Sequence, residues 1–297
     1  MKKIKLLIKI LALTSVLFIS CSENEPNAED VCTSENYTVN FDRYVNEIQE
    51  TPTNIGQLGS TTEITYNQYN LLSSIYSYNI DNQNRNNINY KCNNNVSSMF
   101  QNEYTYNLEN KLINSNSDSN PSTSYSLIYN GNIITVKGML EENLYNDITL
   151  ELNANNLVSK ISRASNYSIL EYDANNNLVK ATDFDLNDTL LSSIKINYDQ
   201  KRNPFNGHLS SVYIDRILRY FNKSAEDGFT ELAFNSLLET HFPYFKNNIL
   251  TIHRTTEDLV NEEILKRNFT YDNNNYPTKF EFITVGYHDS TVKIIYQ

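Results

Sequence analysis

The sequence predicts a mainly β protein: an antiparallel meander of repeated hairpins forming an open or curled sheet, with a short helical insertion near the C-terminus. Three observations carry this. A Tyr-Asx phrase recurs along the 297 residues, alternating apolar and polar residues flank it, and between Phe205 and Arg267 the alternation gives way to helical spacing.

Tyr66-Asn67 leads into QYNLLSSI, Tyr106-Asn107 into LENKLINS, Tyr129-Asn130 into GNIITV and Leu152-Asn153 into ANNLVSKI. Tyr172-Asp173 leads into ANNNLVKA, Tyr198-Asp199 into QKRNPF and Tyr271-Asp272 into NNNYPTKF. From 106 through 129, 152 and 172 to 198 the steps are 23, 23, 20 and 26 residues, the spacing of a repeated supersecondary unit. Before the pair at 172 runs Ser168-Ile169-Leu170-Glu171-Tyr172, and after it Leu178-Val179-Lys180-Ala181-Thr182. Tyrosine and β-branched residues suit a pleated, half-buried surface, and alternation sends one set inward. The Asp and Asn between them tolerate left-handed backbone and hydrogen-bond their own chain, so each phrase reads strand, turn, strand. A lone hairpin is marginal in water, so neighbours must pair and bury a common face.

In SSVYIDRILRYF, Ile214, Ile217, Leu218 and Phe221 recur at helical spacing, as do Phe229, Leu232, Ala233, Leu237 and Leu238 before Pro243. The spacing predicts one or two amphipathic helices within about 208–245, covering one sheet face. Strands return at NILTIHR, EILKRNFTYD, TKFEFITV and TVKIIYQ.

Composition bounds the function classes. With 39% hydrophobic residues, 13 Phe and 22 Tyr the chain is too apolar for wholesale disorder, and 7 Gly and 6 Pro exclude collagen-like and Pro-rich readings. Asparagine occurs 47 times. The formal charge is −11, and the first twenty residues hold four lysines and no acid, leaving 20 basic against 35 acidic residues in the rest. Such a body repels a phosphate backbone, and no basic stripe with interleaved aromatics appears, so no nucleic-acid partner is expected.

Lys2, Lys3 and Lys5 precede the apolar run Ile10 to Ile19, too short for a membrane-spanning helix, which ends at Phe18-Ile19-Ser20-Cys21. This resembles the lipobox of bacterial lipoprotein signal peptides, with Leu17 one place early and Phe18 where the family usually has Leu. The resemblance implies a signal peptide over 1–20 and acylation of Cys21, palmitate included, which would hold the body at a membrane. Ser22-Glu23-Asn24-Glu25-Pro26 opens a flexible acidic tether over 21–36. It is similar to the tether that sends many Bacteroidota lipoproteins to the outer face of the outer membrane; the alternative is a plain linker. The expected address is the cell envelope, as an outer-membrane lipoprotein exposed at the surface, with 37–297 as a single domain. In that oxidising setting a Cys32–Cys92 disulfide would close a 60-residue loop, worth about 4 kcal/mol; two free buried thiols are the alternative.

The Tyr-Asx phrases resemble the YD repeat of RHS-type proteins and of uncharacterised Bacteroidota lipoproteins that carry such hairpins behind a lipobox. The resemblance covers Tyr66 to Phe205 and Tyr271 to Phe282, and the glycine usual in the repeat is present only at Gly131. It implies a β-sheet scaffold at the cell surface rather than a catalytic site.

Candidate chemistry is sparse. Asp183, Asp185 and Asn187 in DFDLND match the opening of an EF-hand loop, but Asp188 stands where glycine is required and Ile194 where the twelfth-position Glu is required. A polar hairpin turn explains them better, leaving a weak metal candidate. His208, His241, His253 and His288 are isolated, with His241 in an apolar helical stretch. Neither HExxH, GxSxG nor a phosphate-binding glycine loop occurs. Neighbouring residues on a strand face opposite ways, so Glu141-Glu142 and Glu262-Glu263 are not ready-made acid–base pairs. The expectation is a binding or scaffolding module without catalysis or cofactor, its ligand a glycan or protein. The alternatives are a hydrolase of polysaccharide or peptide, for which distant acids would have to meet in space, and a periplasm-facing structural lipoprotein.

Overall fold

The computed structural model describes residues 43–53, 58–91, 94–99, 101–117, 123–140, 148–221, 245–284 and 289–297. The signal peptide, the tether, Cys21, Cys32, Cys92, Glu141, Glu142, His241 and His288 lie outside these residues, as does the second predicted helical run.

The chain is a strand meander. The first strands are β1 Val45–Pro52, β2 Ser60–Tyr66, β3 Leu72–Tyr78, β4 Gln83–Asn87, β5 Asn89–Tyr90, β6 Val96–Met99 and β7 Asn102–Tyr106. There follow β8 Leu112–Ser117, β9 Thr123–Asn130, β10 Ile133–Leu140, β11 Thr149–Leu152 and β12 Val158–Ser162. The run continues with β13 Asn166–Tyr172, β14 Leu178–Asp185 and β15 Leu190–Tyr198. A 3-10 turn, Ser210–Val212, and helix α1, Tyr213–Phe221, interrupt it before β16 Ile249–Thr256, β17 Glu262–Tyr271, β18 Pro277–Thr284 and β19 Ser290–Tyr296.

Every ladder is antiparallel, and β19 returns to pair with β1, Ile294 opposite Ile48 and Lys293 opposite Gln49. Of the two forms expected, open or curled, the sheet takes the curled one and curls almost to a closed barrel. Its one interruption among the described residues lies at β4 and β5, which are successive parts of one kinked strand: β4 pairs with β3, β5 with β6.

Side-chain alternation sorts the wall into two faces. Across successive strands Ile134, Leu150 and Ile161 lie opposite one another, as do Leu170, Ala181 and Ile194, and then Ile196, Ile252 and Leu265; all are buried. Each such Ile or Leu contributes about 1.5–3 kcal/mol by leaving water. Many of the intervening residues face out and are charged, with Ile128, Ile133, Leu190, Leu191 and Ile283 exposed among them. Glu151 meets Lys160, Glu171 meets Lys180, and Lys195, His253 and Glu263 follow across three strands. A lipid-facing barrel reverses this arrangement, with an apolar band outside. The charge pairs on the outer face run against that arrangement.

The repeated phrase is a three-residue turn with a bulge. Asn67, Asn107, Asn153, Asp173 and Asp272 each accept, on Oδ1, the backbone N–H groups two and four residues on, at 2.8–3.1 Å. The third residue on (Asn70, Asn110, Asn156, Asn176 or Asn275) has φ between 59° and 65°, the left-handed region. Asparagine therefore takes the place glycine usually fills in such hairpins.

A tyrosine at the end of a strand, in most cases just before such a turn, has its own function. Tyr66, Tyr90, Tyr106, Tyr129, Tyr172, Tyr198 and Tyr296 donate their hydroxyls to the carbonyls of Val45, Leu72, Val96, Leu112, Val158, Leu178 and Pro277 at 2.8–3.0 Å. Each acceptor is the first residue of the preceding neighbour strand. The tyrosines thus lace one rim of the barrel, and burial raises their pKa values so that the hydroxyls stay protonated donors.

Candidate binding cleft

The segment where the repeat lapses is an insertion within one of these turns. Asp199 Oδ1 accepts from Lys201 N and from Asn248 N, both at 3.0 Å, while Asp199 N donates to Asn248 O at 3.0 Å. Asn248 Nδ2 donates to Asp199 Oδ2 at 3.0 Å, as Asn177 Nδ2 does to Asp173 Oδ2 at 2.9 Å. The turn frame persists although the chain leaves it and returns.

What it leaves for is the barrel interior. The sequence led to the expectation of helices laid over one sheet face; instead the insertion touches inward-facing residues from strands all around the ring. His208 packs on the Tyr66 ring of β2 at 5.7 Å between centroids, and Ser211 Oγ accepts from Val96 N of β6 at 3.0 Å. Tyr213 Oη accepts from Val158 N of β12 at 3.1 Å and lies 3.0 Å from the Tyr172 hydroxyl of β13. Asp215, fully buried, receives Tyr104 and Ser115 at 3.1 Å, Tyr125 at 2.5 Å and Arg219 Nε at 2.9 Å. Arg219 Nη2 donates onward to Asn102 and Ser115 at 3.0 and 3.1 Å. One face of α1 is apolar, with Ile217 and Leu218 buried, and the other carries this ionic latch. Phe205, Val212, Ile217 and Leu218 of the insertion are buried in one cluster with the inward-facing strand residues.

A cleft of about 460 Å³ lies where the insertion meets the rim turns of β11–β12 and β13–β14, within the range of small-ligand sites. The carboxamides of Asn175, Asn176 and Asn206, the hydroxyls of Ser210 and Tyr213 and the ammonium of Lys246 line it, with Leu157 as apolar floor. Lys246 Nζ donates to Asn175 Oδ1 at 3.1 Å, and Asn176 Oδ1 accepts from Asn155 Nδ2 at 2.8 Å, so the polar groups are held in place. No carboxylate lines the cleft. It can exchange hydrogen bonds with a hydroxyl-rich or anionic ligand, but it holds no acid–base pair.

The acids singled out in the sequence sit elsewhere. Asp185 Oδ1 accepts from Asn187 N and Thr189 N at 2.8 Å, with Asp188 at φ 64°: the EF-hand-like opening is another turn of the repeat type. Backbone hydrogen bonds hold the Asp185 carboxyl below its usual pKa. Asp183 points inward, buried, accepts from Ser168, and its pKa is raised by burial to about 6. Asp183, Asp185 and Asn187 thus do not converge, and among the described residues no three His, Cys, Asp or Glu side chains group as metal ligands. Glu262 and Glu263 face opposite ways as expected, Glu262 to Arg254 at 2.8 Å and Glu263 toward His253 at 3.8 Å. Sequence reasoning missed the cleft and the Asp215 latch. An acid and a base at i and i+4 within an apolar helical run were the available signal.

No protein-family model and no curated protein matches the chain. Solved structures of two porin-like proteins are similar to it. The first, from Bacteroides vulgatus ATCC 8482, is 13% identical with a TM-score of 0.38, covering 86% of this chain and 99% of that one. The second, from Bacteroides uniformis ATCC 8492, is 12% identical with a TM-score of 0.31, covering 85% and 98%. A superposition that loose transfers no property.

Proposed function

We propose that the protein is a lipid-anchored envelope protein, tethered through Cys21, whose filled hairpin-repeat barrel is a binding or scaffolding module without catalysis. The charge pairs on the outer wall and the apolar cluster that the insertion joins inside carry this reading, a body that stands in water beside a membrane. The rim cleft, lined by amides, hydroxyls and one ammonium, suits a glycan or other polyhydroxylated ligand. The hydrolase alternative finds no paired acids there.

The test is digestion of intact cells by added protease, following a C-terminal tag, with Cys21→Ala as the anchoring control. Loss of the tag while a periplasmic marker survives is the outcome expected for a surface module. Survival until the outer membrane is opened would replace it with the periplasm-facing structural role. A Cys21→Ala chain that still fractionates with membranes would sink the anchor.

A further inference from the structure

The interruption in the ring is built from strand edges. β4 pairs with β3 along its whole length and β5 with β6, but no ladder joins β4 to β6 or β7. At the kink, Ile88 N still donates to Ser73 O at 2.8 Å. That bond fixes which backbone groups β4 gives to β3, because bonded and non-bonded residue pairs alternate along an antiparallel ladder. With Asn86 opposite Ile75 and Asn84 opposite Ser77, those two residues bond β3. The N–H and C=O groups of Gln83, Arg85 and Asn87 therefore point away from β3, into the gap. The gap is a notch of about 330 Å³ lined by Asn84, Arg85, Asn87, Gln101, Asn102 and Glu103.

We propose that this notch accepts an extended polypeptide strand from another protein, added beside β4. Alternate unpaired N–H and C=O groups on a strand edge are a template for a further strand, and bordering carboxamides can bond to peptide groups on either side. Arg85 lies over the Tyr76 ring at 4.5 Å on the outer face, so the incoming strand carries an acidic side chain opposite it. A second copy of this chain fits worse. Antiparallel pairing of β4 with itself about Arg85 would set two guanidinium groups opposite each other, between two bodies of formal charge −11. The notch opens at the end of the barrel remote from the cleft, and the inference depends neither on the cleft's ligand nor on the lipid.

The probe is a random library of displayed heptapeptides panned against the detergent-solubilised full chain, with winners remade as end-blocked peptides. Selected peptides are expected to be extended, to carry an acid, and to slow amide exchange at Arg85 and Asn87. Arg85→Pro deletes an N–H facing the notch and spares the bonds to β3, so it should weaken binding at least tenfold. Exchange at Asn86, which bonds β3, checks that β4 stays folded. Arg85→Ala, which keeps the backbone, should weaken only acid-bearing peptides. Peptides N-methylated at the residues facing β4 should lose binding with the protein unchanged. The proposal is overturned if no peptide is enriched over insert-free display, if protection appears on other strands, or if both Arg85→Pro and N-methylation leave affinity intact.

Discussion

Asp199 and Asn248, 49 residues apart in sequence, meet at 3.0 Å and reproduce the Asp173–Asn177 pair, which is four residues apart and meets at 2.9 Å. The barrel treats the whole insertion as one of its turns. Asp199 also accepts the Tyr271 hydroxyl, so it ties three stretches of chain together. Asp199→Ala should cost about 2 kcal/mol, the scale for hydrogen bonds to a charged acceptor. Asn248→Ala, which keeps its backbone bond, should cost about 1 kcal/mol. Urea denaturation measures both, and limited proteolysis should show earlier cleavage within 203–213 for Asp199→Ala alone.

Asparagine at the left-handed turn position makes a sharper prediction. At Asn176, φ is 64°. Asn176→Gly should stay within about 0.5 kcal/mol of wild type, whereas Asn176→Ala should cost about 1 kcal/mol through backbone strain. Equal losses for the two would mean that the Asn176 side chain, not its backbone conformation, is what the turn needs.

The Asp215–Arg219 latch is a buried pair. Asp215→Ala strands the Arg219 guanidinium and three hydroxyl donors, and should cost about 3–5 kcal/mol. Replacing both charges should cost less than the sum of the single variants by 1 kcal/mol or more, since each single variant leaves an uncompensated charge. A double-mutant cycle by thermal denaturation reads the difference; additive losses would mean the two side chains act separately.

Two buried groups set opposing pH dependences. The Asp183 pKa is raised by burial from 3.8 to about 6, so between those values the folded chain holds the proton more tightly, and stability falls as pH rises through the window. The His208 pKa is lowered by burial from 6.5 to about 4, so the unfolded chain takes that proton first, and stability falls as pH drops through the window. Asp183→Asn should expose the histidine slope, and His208→Gln the aspartate slope, each about 3 kcal/mol at 1.4 kcal/mol per unit. Curves of variant minus wild type between pH 4 and 7 isolate each group from the surface carboxylates. Flat difference curves would contradict both assignments.

The turns were legible because their chemistry is local: the Asx side chain and the left-handed asparagine both act within one hairpin. The helix at Tyr213–Phe221 was legible from its apolar spacing. Its destination was not, because Asp215 draws partners from β7, β8 and β9, about a hundred residues upstream, and no short-range pattern encodes that meeting. Ring closure was hidden for the same reason. The tyrosines, read from sequence as packing residues, proved to be donors as well, a role that needed the register to see. The cleft escaped because its asparagines look like every other turn asparagine in a chain rich in them.

The return of β19 to β1 has a kinetic consequence. Gln297 N donates to Tyr44 O at 2.9 Å, extending the β19–β1 seam by one more bond. Until β19 arrives, the inner edge of β1 has no partner, and hairpins made early wait on a contact spanning nearly the entire sequence. Hairpins can zip as the chain emerges, since each is a short-range event, but the last step is slow and length-dependent. A chain truncated by even one strand would keep most of its hairpins yet display two further open strand edges, a surface prone to aggregation.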